Sequence, residues 1–253
     1  MPVHDLALMT WEEVRDIGTG AVAILPLGAI EAHGPHLPLA TDVIIAEAMA
    51  RRAADRLAAR DMNVVLLPAL PYSFAGFAAA FPGTLSVDAA RAAGIVLDVA
   101  SALARHGIGT LAIANAHLDP GHLEALRVAT GSIAPKTGLR VVFPNLTERP
   151  WGSRLTAEFK SGACHAGRFE TSVVLAARPD TVRLERMRGL KPNPVSLSAA
   201  IRDGKTTFEQ AGGANAYFGD PAAATAAEGR ETIEALAGIL EDAVMEAIGG
   251  RAA

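Results

Sequence analysis

Short runs of apolar residues alternate along this chain with longer stretches in which apolar positions return every three to four residues. The runs 22–27, 64–67, 110–114 and 140–143 are dominated by Val, Ile, Leu, Ala and Phe. Continuous apolar runs of this length are the pattern of strands buried on both faces. Between them, 43–59, 87–106 and 121–133 carry helical periodicity. Asp88 suits the N-terminal end of the second of these helices, and Arg105 and His106 before Gly107 suit its C-terminal end. Strands alternating with helices predict an α/β fold, a mostly parallel sheet flanked by helices on both faces. No repeat or linker divides the chain, so one domain is expected over 1–253. An apolar helix is expected over 173–177. A last helix is expected to open at Asp220-Pro221, an N-cap followed by Pro at N1, and to run to about Ile248. The stretch 191–213 is rich in Pro, Asn, Ser and Gly and reads as a long loop with a short helical piece at 198–202, of the sort used as a lid or interface.

Composition narrows the function classes. Half of the residues are apolar, only 5% are aromatic and the net charge is −4. Without a Lys/Arg block, neither nucleic acid nor an anionic membrane surface is an expected partner. No apolar stretch reaches the length of a membrane span, and Met1–Asp5 does not begin a secretory signal, so a soluble, cytoplasmic protein is expected. Cys164 is the single cysteine. It excludes an intrachain disulfide and a thiolate zinc cluster, and it reads as a small semi-buried pocket residue rather than a nucleophile paired with His165.

Candidate chemistry gathers where strands end. Glu31, His33 and Asp42 follow the first apolar run, and His117 and Asp119 follow the third. An E-x-H step on extended backbone presents both side chains to one side. Carboxylate oxygen and neutral imidazole nitrogen are ligands for zinc and manganese. The first cluster by itself is half of a metal site or ordinary surface polarity, and the residues alone leave both open. In open parallel sheets, ligands bind beyond the carboxyl ends of the strands, so neighbouring strands could bring all five side chains together.

The block Leu25-Pro26-Leu27-Gly28-Ala29-Ile30-Glu31-Ala32-His33-Gly34-Pro35-His36-Leu37-Pro38, continued to Thr41-Asp42, resembles the signature of the creatininase family of metal-dependent amidohydrolases. Phe81-Pro82-Gly83-Thr84, Asn115-Ala116-His117-Leu118-Asp119, His165-Ala166-Gly167-Arg168-Phe169-Glu170-Thr171-Ser172 and Gly219-Asp220-Pro221 agree in order and approximate spacing. The resemblance implies two divalent metal ions, Zn2+ and/or Mn2+. Glu31, Asp42 and His117 would hold one, and His33, Asp42 and Asp119 the second, with Asp42 bridging. It also implies a hydroxide held between the ions that attacks a carbonyl. His165 would be the general acid–base, and the assembly a homo-oligomer, often a hexamer. Glu170 would orient His165 or a ligand, or stabilise a helix N-terminus. His36 is expected to orient a ligand through its other ring nitrogen.

Several features bear on the substrate. The third block reads His117-Leu118-Asp119-Pro120-Gly121-His122, with a shorter acid than the glutamate of creatinine-hydrolysing members and an extra His122 that either touches substrate or metal, or caps or solvates the helix start. Trp151, in a region where family members carry tryptophan, is a candidate pocket wall or gate or else surface packing, and Tyr72 is a further candidate for substrate binding. In the loop after Tyr72, Ala75 and Phe77-Ala78 stand where relatives often have a serine and a glutamate–histidine pair, leaving an apolar wall. A site that recognises a small polar ring needs those hydrogen bonds. The expected activity is therefore hydrolysis of a C–N bond in a cyclic amide or formamide-type small molecule other than creatinine. The alternatives are a C–C bond or lactone hydrolase, a peptidase of the same family, or a non-catalytic metal-binding member.

Overall fold

The computed structural model describes residues 1–249, so 250–253 of the expected domain lie outside the described residues. Val3–Asp5 form β1 and Trp11–Asp16 form α1, which is closed at its start by a reciprocal Thr10–Glu13 capping box. Then follow β2 (Val22–Leu27), α2 (Thr41–Ala58), β3 (Val64–Leu66), α3 (Ala89–Arg105), β4 (Thr110–Asn115), α4 (Pro120–Thr137) and β5 (Arg140–Val142). The remaining elements are helical: α5 (Ala157–Ser161), α6 (Arg168–Ala177), α7 (Leu184–Arg188), α8 (Leu197–Arg202) and α9 (Ala226–Gly249).

The five strands lie in the order β1-β3-β2-β4-β5, and every pair is parallel. Strand β1 carries no apolar run, because at the sheet edge backbone pairing with β3 is enough to hold it. Side chains of the central strands alternate between two cores. Val22, Ile24, Val64, Leu66, Ala112 and Ala114 share one with α2, α6 and α9, whereas Ala23, Leu25, Val65, Leu111 and Ile113 share the other with α3 and α4. Both faces are covered, as the unbroken apolar runs require.

The last helix departs from expectation. Asp220-Pro221 opens only a 3-10 turn, Pro221–Ala223, and the Asp220 side chain caps nothing. Ala224 returns to extended backbone, and α9 starts two residues later, where Thr225 Oγ1 accepts the Glu228 N–H. Asp88 caps α3 through the Arg91 N–H, and His106 closes that helix before Gly107 at φ +81°.

From β2 the chain crosses through α2 to β3 on one side, and from β4 it crosses through α4 to β5 on the other. The direction of winding therefore reverses between β2 and β4, which pair along their full length from Val22–Thr110 to Leu27–Asn115. A crevice opens at the carboxyl ends of strands that diverge in this way. No helix among the described residues is long and apolar enough to cross a membrane.

Candidate metal centre

The crevice collects buried charge. Glu31 and His33 lie on the segment leaving β2, His117 on the segment leaving β4, Asp42 in the first turn of α2, His165 just before α6 and Glu170 in its first turn. All six are at most 6% exposed. Gly28 makes the approach of α2 possible: a Cβ there would lie 2.6 Å from the Val43 nitrogen. The glycine of the Leu-Pro-x-Gly step thus brings the start of α2, and Asp42 with it, against the end of β2.

Asp42 stands between two sets of groups. Its Oδ2 lies 2.8 Å from His117 Nδ1, which is also 3.2 Å from Glu31 Oε1. Its Oδ1 lies 3.1 Å from His33 Nε2, which is 3.6 Å from Glu170 Oε2. Ligand atoms of Glu31, Asp42 and His117 fall within 4.8 Å of one another, and so do those of His33, Asp42 and Glu170. A further set of the same kind joins Glu31, His33 and His165.

Hydrogen bonds at the far ring nitrogens determine what the near ones offer. His117 Nε2 donates to the Phe74 carbonyl at 2.8 Å and His33 Nδ1 to the Glu31 carbonyl at 3.1 Å. Each bond fixes a tautomer and leaves a lone pair on the nitrogen that faces the carboxylates. His33 Nε2 has no hydrogen-bond partner although it is buried. A lone pair aimed at carboxylate oxygens is repulsive unless a cation lies between them or the ring takes up a second proton. The acids do favour that proton. Burial works against a charged His33, but Asp42, Glu170 and Glu31 outweigh it and raise the ring to about 10. Burial likewise opposes a charged His117, and Glu31 and Asp42 hold it well above its ordinary value. Glu31 and Glu170 are themselves pushed upward by burial, Glu170 to about 8. Three buried acids with no Arg or Lys among the described residues paired to them, facing imidazole lone pairs, form a donor set suited to a divalent cation, which would take the place of those protons.

Asp119 is not in either set. Its Oδ1 accepts the Gly121 N–H at 2.8 Å, so it caps α4, and its Oδ2 accepts the Phe77 N–H at 3.1 Å. Each oxygen accepts one backbone amide and keeps a further lone pair, and the carboxylate grouped with His33 and Asp42 is that of Glu170.

His165 lies with its ring between those of His33 and Phe208, each centroid 4.2 Å away. Nε2 donates to the Ala32 carbonyl at 2.9 Å, leaving the Nδ1 lone pair on the side of Glu31 Oε1, 3.9 Å distant. Burial first and His33 second push this ring well below its ordinary pKa, so it stays neutral. His36 is fully buried. Its Nε2 pairs with Thr171 Oγ1 at 2.8 Å, which braces the residue next to Glu170.

A cavity of about 90 Å³ reaches these groups. Glu31, Asp42, His117, His165 and Glu170 form its floor, and Phe77, Leu118, Leu197, Ile201 and Phe208 form most of its walls. Asp119 and Cys164 also line it, and burial first and Glu170 second push the Cys164 thiol up to about 12, which keeps it protonated. Tyr72, His122 and Trp151 are not among the lining residues. Tyr72 is 52% exposed, and Trp151 borders a separate groove with Val141, Phe143 and Ala247. His122 is buried and donates through Nε2 to Asn115 Oδ1 at 3.0 Å, while the Asn115 amide donates to the His117 carbonyl at 2.7 Å. It therefore steadies His117 from behind. The carbonyls of Phe74 and Ala32, and the Phe208 ring, had no signal in the sequence, since each acts only through tertiary contact.

Comparison with known proteins places the chain in a family. The chain is 33% identical over 228 residues to a mycofactocin precursor peptide peptidase of Mycobacterium tuberculosis, covering 86% of this chain and 82% of that protein. It is 31% identical over 196 residues to a creatinine amidohydrolase of Pseudomonas putida, covering 71% and 74%. A solved creatinine amidohydrolase (creatininase) structure superposes with a TM-score of 0.71 at 26% identity over 96% of both chains, and a structure described as Creatininase Mn gives 0.71 at 25% over 97% and 98%. Residues 7–244 match the creatininase (creatinine amidohydrolase) family, and the chain belongs to it.

Proposed function

We propose that this enzyme hydrolyses a peptide-type C–N bond with two divalent ions, zinc or manganese, and that its substrate is a peptide segment rather than a small ring. The observation that carries the two-ion reading is Asp42, whose oxygens face separate imidazole lone pairs, Oδ1 toward His33 and Oδ2 toward His117. Glu31 and His117 would hold one ion, His33 and Glu170 the other, and Asp42 both. Ions bound there would polarise a carbonyl and lower the pKa of water.

The protein's own groups do the rest. His165, held by Ala32 and clamped between two rings, keeps Nδ1 free to take a proton from the attacking water and pass it to the leaving nitrogen. Burial first and His33 second keep it neutral, so it starts with a lone pair able to accept that proton. The apolar walls exclude water from that transfer.

Two features favour a peptide. The relative with 33% identity is described as a precursor peptide peptidase. The cavity of about 90 Å³ is also far below the roughly 300–1,000 Å³ of pockets that enclose a small molecule. It accommodates one reacting group, and the rest of a substrate would lie along the mouth. The earlier expectation of a cyclic amide becomes the second choice.

The test is to strip the protein with a chelator, restore zinc or manganese, and assay a panel of short peptides beside creatinine and other cyclic amides. Peptide cleavage that returns in step with two ions per chain is the expected result. Efficient turnover of a cyclic amide with no peptide cleaved would overturn the peptide reading, and full activity of the stripped protein would overturn the metal reading.

A further inference from the structure

Helix α6 carries Glu170 and follows directly on His165, yet its own N-cap, Gly167, has no side chain to satisfy the first-turn amides. The missing acceptor comes from another helix. Glu158, on α5, accepts the Phe169 N–H through Oε2 at 2.7 Å and the Asp220 N–H through Oε1 at 2.7 Å. Both backbones close tightly on this carboxylate. A Cβ on Gly167 would lie 2.7 Å from Oε2, and one on Gly219 would lie 2.2 Å from Oε1. The glycines of His165-Ala166-Gly167 and Gly219-Asp220-Pro221 therefore both lie against this side chain, Gly167 also against the Phe218 carbonyl.

The segments joined in this way are the ones that hold the site. The Phe218 N–H donates to the His165 carbonyl at 2.8 Å, and the Ala166 N–H donates to Glu170 Oε2 at 2.5 Å. Ala166 sits at φ +50°, a left-handed conformation that an alanine keeps only where its surroundings enforce it. Gly219 pairs in turn with Asn193 at the root of the loop that carries Leu197, Ile201 and Phe208 to the cavity.

We propose that Glu158 is a positioning residue for hydrolysis: it clamps the His165–Phe169 turn against Gly219–Asp220 and so sets His165 and the Glu170 carboxylate in their working places. The proposal rests on the two-ion reading for its effect on activity, but not for its effect on geometry. Glu158 lies outside the ligand sets and does not line the cavity. A glutamine there retains one acceptor oxygen for two amides and removes the charge that favours a helix N-terminus.

The experiment compares E158Q with E241Q, which removes a buried carboxylate from an Arg56–Arg60 cluster elsewhere in the fold and serves as the control for general destabilisation. In the metal-free protein, amide exchange followed by NMR should show E158Q losing protection at Phe169, Asp220 and, beyond its direct partners, Ala166. E241Q should leave Ala166 protected. Titration with zinc should then show one ion bound as in wild type and the other about tenfold weaker, with turnover lowered by about 10–100-fold, the range typical of groups that orient ligands. Wild-type protection at Ala166, or unchanged zinc affinity together with unchanged turnover, would overturn the proposal. A wild-type protein that takes up fewer than two ions would refute the two-ion reading instead, and the Ala166 exchange would still decide the role of Glu158.

Discussion

Glu31 and Glu241 are equally buried, each 3% exposed, and the protein treats them in opposite ways. Glu241, on α9, receives Arg56 Nε at 2.6 Å and Arg60 Nε at 2.5 Å from α2. Burial acts to raise its pKa, but the two guanidinium groups outweigh it and the carboxyl is held below its ordinary range. Glu31 shares its surroundings with two further acids, Asp42 and Glu170, and with imidazoles, and burial leaves its pKa raised. At one end of α2 the chain supplies its own guanidinium groups; at the other it gathers carboxylates, with no Arg or Lys among the described residues paired to them. Buried acids left without Arg or Lys are stable together only if they or their imidazole neighbours take up protons, or if a cation joins them. The contrast makes the second region the candidate ion site and the first part of the scaffold.

The same substitution should therefore have opposite consequences in the two places. The largest effect is expected for E31Q. Loss of a direct ligand should exceed the 10–100-fold typical of outer groups, so turnover should fall by more than about a hundredfold with loss of bound metal, measured by assay and elemental analysis. In the metal-free form, thermal unfolding of E31Q should be no easier than that of wild type, because a repelling carboxylate has gone. A lower metal-free melting temperature for E31Q would break the comparison.

A middle-sized effect is expected for His122→Ala. It frees the Asn115 amide that holds the His117 carbonyl, and turnover should fall by about tenfold while the metal content at saturating zinc stays at two ions. Unchanged turnover would show that His117 needs no such support.

E241Q gives the smallest effect on function: wild-type turnover and metal content, with stability reduced by about 1–2 kcal/mol, since both arginines are partly exposed and solvent screens the pairs. Its pH dependence has a definite sign. The folded pKa of Glu241 is depressed, so its contribution is present above the unfolded value of about 4.3 and is lost as pH falls through the folded value. Denaturation curves of wild type and E241Q should thus converge on acidification from neutral pH and stay apart above pH ~5. A gap that persists in acid would mean that the arginines do not stabilise the ionised form.

Much of this was legible in the sequence, for physical reasons that can be named. Strands β2 and β4 lie buried on both faces, so their apolar runs carry no interruption, and the residues just beyond them can be placed at the sheet's carboxyl edge. Glu31, His33 and Asp42 stand within one short block, so local geometry alone brings them close. Strand β1 was not legible, because an edge strand of mixed composition is held by backbone pairing. The opening of α9 was misplaced, because Asp220-Pro221 has the same chemistry at a 3-10 turn as at an α-helix.

The sequence by itself determined the alternation of strand and helix, the family block and the kinds of atom available to an ion, because these depend on periodicity and on residue identity. Only the tertiary structure decided which carboxylate faces which imidazole. Asp119 and Glu170 are both acids at the start of a helix, and nothing local separates them; Asp119 accepts the amides of Gly121 and Phe77 at the cavity's edge, while Glu170 comes within 3.6 Å of His33. The tautomers of His117 and His165 were decided in the same way, by the Phe74 and Ala32 carbonyls, as was the apolar wall that Phe208 adds from a distant loop. A side chain's direction depends on the partners that folding brings to it, and those partners lie up to a hundred or more positions away along the chain.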